Sequence, residues 1–199
     1  MYSCLIVQLI MFSFYFRFIL LIWYVLVPSQ PQSISLGWQS AIVFSDSGFE
    51  FSPIDEQALL MYEGIADSKL SCAQNCHSNA LCRIFDFNDQ SSRCRIFEGD
   101  VATMGSIVTS SSSNSYVGYV ELNPEQFTYQ GQPCSFCEGS RYLTCINSTC
   151  QCQQHTFFDG SICRSQKLLG TECINGTECR IDLNFTCLPR QQCGRKYCY

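Results

Sequence analysis

Ser68-Lys69-Leu70-Ser71-Cys72-Ala73-Gln74-Asn75-Cys76-His77, then Cys82-Arg83-Ile84-Phe85-Asp86-Phe87, then Arg93-Cys94-Arg95-Ile96-Phe97-Glu98: these three pieces decide the fold. Asp67 or Ser68 offers an N-cap for a helix over the first piece, and Asn79 marks its end. Cys72 and Cys76 are four apart, so they share one helical face. In the second piece Phe85 and Phe87 share one face of a strand. Asn88-Asp89-Gln90-Ser91-Ser92 has turn composition, and the third piece returns as the partner strand. The expectation is a helix pinned to a hairpin. Four cysteines allow three connectivities. Geometry ranks first the pairing in which Cys76–Cys82 closes the helix end onto the strand while Cys72 reaches Cys94. Closing that loop of about 20 residues stabilises the fold by roughly 3 kcal/mol on loop-entropy reasoning.

The string C72-x3-C76-x5-C82-R-I-F-D-F, followed by C94-R-I-F, resembles the PAN/apple domain over about residues 40–121. The resemblance implies an α+β fold, a small antiparallel sheet cradling one helix. It also implies the pairs Cys72–Cys94 and Cys76–Cys82. No cysteine lies near residue 40 or 120, so the chain is similar to the two-bridge PAN form rather than to apple domains with a third bridge. Members bind proteins or carbohydrates and carry no catalytic residues in the domain. Their binding residues vary, so none is carried over to this sequence.

Outward from this string, composition sets the compartment. The chain has 199 residues and 16 cysteines, a usage that reducing compartments disfavour. Apolar residues fill 23 of the first 27 positions, with Arg17 ahead of the run Phe18 to Val27 and Pro28-Ser29-Gln30-Pro31 behind it. That is the layout of a secretory signal peptide over residues 1–29. The competing reading is a signal anchor through residues 4–27, against which the mid-span Arg17 counts. Either way the rest of the chain lies outside the cytosol, secreted in the first case and tethered in the second. The sequons at Asn147, Asn175 and Asn184 fit that placement as glycosylation sites.

The serine run Ser110 to Ser115 reads as a loop, because Tyr116-Val117-Gly118-Tyr119-Val120 follows it as a strand. Residues 122–133 read as a linker, beyond which cysteine density jumps. Cys134, Cys137, Cys145, Cys150, Cys152 and Cys163 form a first unit over residues 134–163. Cys173, Cys179, Cys187, Cys193 and Cys198 form a second over residues 170–199. The period of about 40 residues marks an internal repeat of modules too small for a sufficient apolar core, so disulfides must hold them. The layout resembles EGF-like or EB-type modules of extracellular proteins. The second unit has five cysteines where the first has six, which suggests either a repeat that the chain does not complete or one cysteine that is free or pairs between chains.

Charge divides at the same boundary. Residues 40–125 carry twelve acids against four bases, whereas residues from 130 onward carry seven bases and five acids. An acidic first module argues against nucleic acid as partner. The close thiol pairs Cys134/Cys137 and Cys150/Cys152 admit a zinc reading, which the oxidising context disfavours; no metal or cofactor is expected. G-x-S-x-G, H-E-x-x-H and P-loop motifs are missing, and His77 and His155 are the two histidines. Both read as structural, His77 as a cation at a helix C-terminus. Asp55-Glu56 reads as solvated. The expected function is extracellular recognition of a protein or glycan, without catalysis. The alternatives are a membrane-anchored receptor ectodomain and a protease inhibitor presenting Arg141, Arg164 or Arg190.

Overall fold

A computed structural model describes residues 41–195. The chain divides into two compact units, residues 1–36 and 37–199, and every described residue belongs to the second. The apolar stretch read as a signal peptide or anchor, with Cys4, and Cys198 near the other end, lie outside the described residues.

The first ten elements are β1 (Ala41–Phe44), β2 (Phe49–Pro53), α1 (Glu56–Leu59), β3 (Leu60–Ile65), α2 (Lys69–Ser78), β4 (Cys82–Asn88), β5 (Arg93–Glu98), α3 (Val101–Met104), β6 (Gly105–Thr109) and β7 (Ser115–Glu121). Five strands form an antiparallel sheet in the order β1-β7-β4-β5-β3. Ser68 is the cap of α2: its Oγ accepts from the Ser71 N–H at 3.2 Å. The helix buries Cys72, Ala73 and Cys76, and Asn79 ends it with an N–H donated to the Cys76 carbonyl.

Strand alternation assigns the two faces of the sheet. Phe85, Phe87, Cys94 and Ile96 pack with the buried side of α2. Ile84, Phe97 and Val117 face the other way, onto Phe51, Leu59 and Met104. The sequence reading expects one helix against the sheet. The structure adds a second cover, the β2–β6 ribbon, with Phe51 opposite Ile107. Both faces of β4 are therefore buried, which accounts for its six consecutive buried residues. Gly118 is required by this packing, since a β-carbon there would lie 2.1 Å from the Phe85 ring.

The serine run is a loop between β6 and β7 up to Asn114, and Ser115 opens β7. Within it, Ser110 Oγ donates to Glu50 at 3.1 Å and also meets Ser115 Oγ at 3.1 Å. The stretch 122–133 is partly structured: Asn123 caps a short 3-10 helix, Pro124–Phe127. Phe127 is buried with Val120 and Tyr142, its ring 5.7 Å from that of Tyr142.

The cysteine-rich region is built from three hairpins: β8 (Leu143–Ile146) with β9 (Thr149–Cys152), β10 (Thr156–Phe158) with β11 (Cys163–Ser165), and β12 (Phe185–Cys187) with β13 (Cys193–Arg195). Asn147 and Ser148 turn the first with φ of 49° and 65°, the left-handed pair that a tight two-residue hairpin needs. Bridges join Cys134–Cys145, Cys137–Cys150 and Cys152–Cys163, then Cys173–Cys187 and Cys179–Cys193. Each unit thus joins its first cysteine to its third and its second to its fourth. In each, a 3-10 turn precedes the hairpin that carries the third and fourth.

Candidate functional site

The structure bridges Cys72 with Cys94 and Cys76 with Cys82, at Cα separations of 5.6 and 5.2 Å. All four are fully buried. They act on shape: the first ties the middle of α2 to β5, and the second ties its end to β4. What they position is a sheet whose charged residues do most of the polar work.

Asp86 and Arg95 are directly opposite across β4 and β5. Arg95 Nε donates to Asp86 Oδ1 at 3.0 Å, and its Nη2 donates to Asp86 Oδ2. The pair then holds the covering ribbon by its backbone: the Phe51 N–H donates to Asp86 at 3.3 Å, and Arg95 donates to the Phe51 carbonyl at 3.3 Å. Burial raises the Asp86 carboxyl above its usual range, and the bonds and charge of Arg95 counter only part of that rise. Glu56, read as solvated, accepts from Arg95 at 3.0 Å. Asp55 caps α1 through the Ala58 N–H at 3.1 Å. Neither carboxylate is merely solvated.

Arg141 is only 3% exposed, which removes it as a residue that could enter a protease pocket. Its guanidinium instead lies at the C-terminus of α2. Nη1 donates to the His77 carbonyl, and Nη2 is shared by the carbonyls of Cys76, Asn79 and Cys82 at 3.1, 3.0 and 3.3 Å. The cation at this helix end is therefore Arg141, not His77. Burial and the Arg141 charge hold the His77 imidazole below its usual value, disfavouring its protonated form. Arg164 pairs with Asp159 at 2.5 Å. Arg190 is exposed in the turn between β12 and β13.

Two further contacts join the sheet to the cysteine-rich region. Arg83, on β4, donates to Asp100 and to the Cys163 carbonyl, both at 2.8 Å. Asp100 and Ser165 then exchange hydrogen bonds at 2.7 and 2.8 Å. His155 lies between Glu98 at 2.6 Å and Asp182 at 3.5 Å, and Arg180 approaches both carboxylates. This cluster borders an open groove of about 740 Å³, whose rim includes Ile146, Gln154, Gln166 and Ile181. The local sequence carries no signal for these contacts except one: a charged residue inside an apolar strand, as at Arg83, Asp86 and Arg95.

The three sequon asparagines, Asn147, Asn175 and Asn184, are all exposed, and Asn147 and Asn184 sit at left-handed turn positions. Asn175 caps a 3-10 turn through the Thr177 N–H at 3.0 Å. The sulfurs of Cys173, Cys179 and Cys193 lie within 4.8 Å of one another. Each is half of a disulfide, so this cluster offers no thiolate to a metal. The same holds for Cys134, Cys137, Cys150 and Cys152, whose spacing admits a zinc reading.

Residues 60–123 match the family model of the PAN domain. No curated protein matches the chain. The PAN match runs from β3 to just beyond β7 and contains α2, the hairpin and both of its bridges. β1 precedes the matched span but pairs with β7 along its length, so it completes the PAN-type sheet. PAN domains form a family of protein- and carbohydrate-binding modules, typically extracellular. No helix among the described residues is long and apolar enough to cross a membrane.

Proposed function

We propose that this is a secreted recognition protein that binds an extracellular protein or glycan through its PAN-type module and performs no catalysis of its own. The PAN match over residues 60–123, coinciding with the clamped helix and sheet, carries this reading. The seven described disulfides suit an oxidising compartment. The cysteine-rich units are read as EGF-like or EB-type repeats, which their shared crossed pairing favours, and the exposed sequon asparagines as glycan carriers. The two histidines take structural places, His77 at a helix end and His155 between two carboxylates. The test is a screen of the full secreted chain, disulfides intact, against a glycan array and a panel of extracellular proteins. Saturable binding that vanishes on reduction is expected, and no binding at micromolar concentrations would defeat the reading. N-terminal sequencing of the product decides between secretion and a retained anchor: a start near Gln30 is expected.

A further inference from the structure

Strand β3 ends the sheet order on one side. It pairs with β5 from Leu60 opposite Phe97 to Ile65 opposite Arg93. Its first N–H, that of Leu60, is held by the Glu56 carbonyl; from Met61 to Ile65, among the described residues, no backbone hydrogen bond leaves the other side of the strand. A bare strand edge is a template on which another strand can pair, and proteins normally blunt it. Here apolar side chains are exposed on the strand and just after it: Tyr62 at 43%, Ile65 at 70%, and Leu70 at 62% at the start of α2.

The charge around this edge selects the occupant. Glu56, Glu63 and Asp67 are exposed. Against them stand Arg93, 3.9 Å from Glu63, and Lys69, whose ammonium is drawn over the rings of Phe44 and Tyr116, while Arg95 is committed to Asp86 and Glu56. A second copy of the chain would bring the same acids opposite each other and be repelled. A basic strand would be attracted. Tyr62 adds a surface suited to a cationic side chain. Its ring lies across Gly64, where a β-carbon would come within 1.9 Å of the Tyr62 hydroxyl. An aromatic ring laid along the strand can take the alkyl stem and charged head of a lysine or arginine.

We propose that the β3 edge receives an extended, lysine- or arginine-rich segment of a partner protein as an added strand. This rests on the recognition reading and names the partner chemistry and the place. The probe is acetyl-Lys-Val-Lys-Val-Lys-Val-amide, compared with its glutamate counterpart and with a lysine peptide N-methylated at alternate amides. Hydrogen exchange of the full chain should show protection at residues 60–65 with the lysine peptide only. Glu63→Lys should weaken that peptide by about tenfold, an attraction lost and a repulsion gained across one strand pair, and should favour the glutamate peptide instead. Equal binding of the N-methylated peptide, protection elsewhere than β3, or no binding of the lysine peptide would each overturn the proposal. A ligand found in the array screen without β3 protection would remove the edge and leave the recognition reading standing.

Discussion

At the scale of the residue, Arg141 carries the most structural consequence. A helix leaves its last carbonyls without intrahelical partners, and burying that end demands a donor. Arg141 comes from the cysteine-rich region and meets the carbonyls of Cys76 and His77 in the last turn of α2, of Asn79 just past it and of Cys82 at the start of β4. Arg141→Ala should cost about 1–3 kcal/mol, the penalty of leaving buried carbonyls short of a donor, as measured by urea unfolding. The same variant should move the His77 imidazole upward in an NMR titration, because one of the two causes of its depression is the Arg141 charge. An unchanged His77 titration would mean that burial acts alone. The sign of the linkage follows from that depression. The unfolded chain takes up the proton first as pH falls, so wild-type stability should decline through the usual histidine range and be fully retained above it. Arg141 is illegible in the sequence because nothing local distinguishes a buried arginine between Ser140 and Tyr142 from a loop tip. Asp86 is more legible: lying between Phe85 and Phe87, it had to face the opposite side of its strand, and Arg95 could be read as its cross-strand neighbour.

At the scale of the element, local signals give α2, β4, β5 and the turn between them almost whole. The cap residue, the four-residue cysteine spacing and the alternating phenylalanines all act over fewer than ten positions. The β2–β6 ribbon is hidden because its pairing joins Phe49 to Thr109 across most of the module. Pairing of that range leaves no periodic trace in either short strand. The two bridges of the module should differ in value. Cys72–Cys94 spans 22 residues and Cys76–Cys82 spans six. Paired Cys→Ala changes should therefore cost about 3 and about 2 kcal/mol, respectively, by loop entropy. A larger loss from the shorter loop would mean that native packing, not chain entropy, sets the difference. In the second cysteine-rich unit, Glu178 takes over part of this work. Burial raises its carboxyl, but the Lys167 ammonium at 2.6 Å and the N–H groups of Ile174 and Asn175 outweigh burial and leave it below its usual range. The stabilisation is therefore present above the ordinary glutamate range and lost as pH falls through the lowered value. Amides around residues 174–178 should lose protection in acid beyond the intrinsic exchange trend, and Glu178→Gln should abolish that extra dependence. Identical profiles for the two proteins would dismiss the ion pair as the cause.

At the scale of the molecule, the composition boundary near residue 123 is real as a change in cysteine density but does not separate two cores. Leu168, from between the two cysteine-rich units, packs with Phe51, Ile84, Phe97 and Val117 of the sheet. Val120 of β7 packs with Tyr142, Leu143 and Phe127. Such docking relies on single apolar residues and isolated arginines, which have no period, so the sequence suggests a linker over residues 122–133 and separate small modules where the structure has packed contacts. A shared core predicts shared cooperativity. The chain with disulfides intact should unfold in one calorimetric transition whose calorimetric and van't Hoff enthalpies agree. Leu168→Ala removes a side chain that is 3% exposed and should lower that transition by about 2–5 kcal/mol. The test lies in where the loss registers. If the sheet and the cysteine-rich units were independent, Leu168→Ala would shift one of two resolved transitions and leave amide protection in β4 untouched. With one core, amide protection in β4, formed by residues 82–88, should fall together with protection in β11 and β12, by the same free energy.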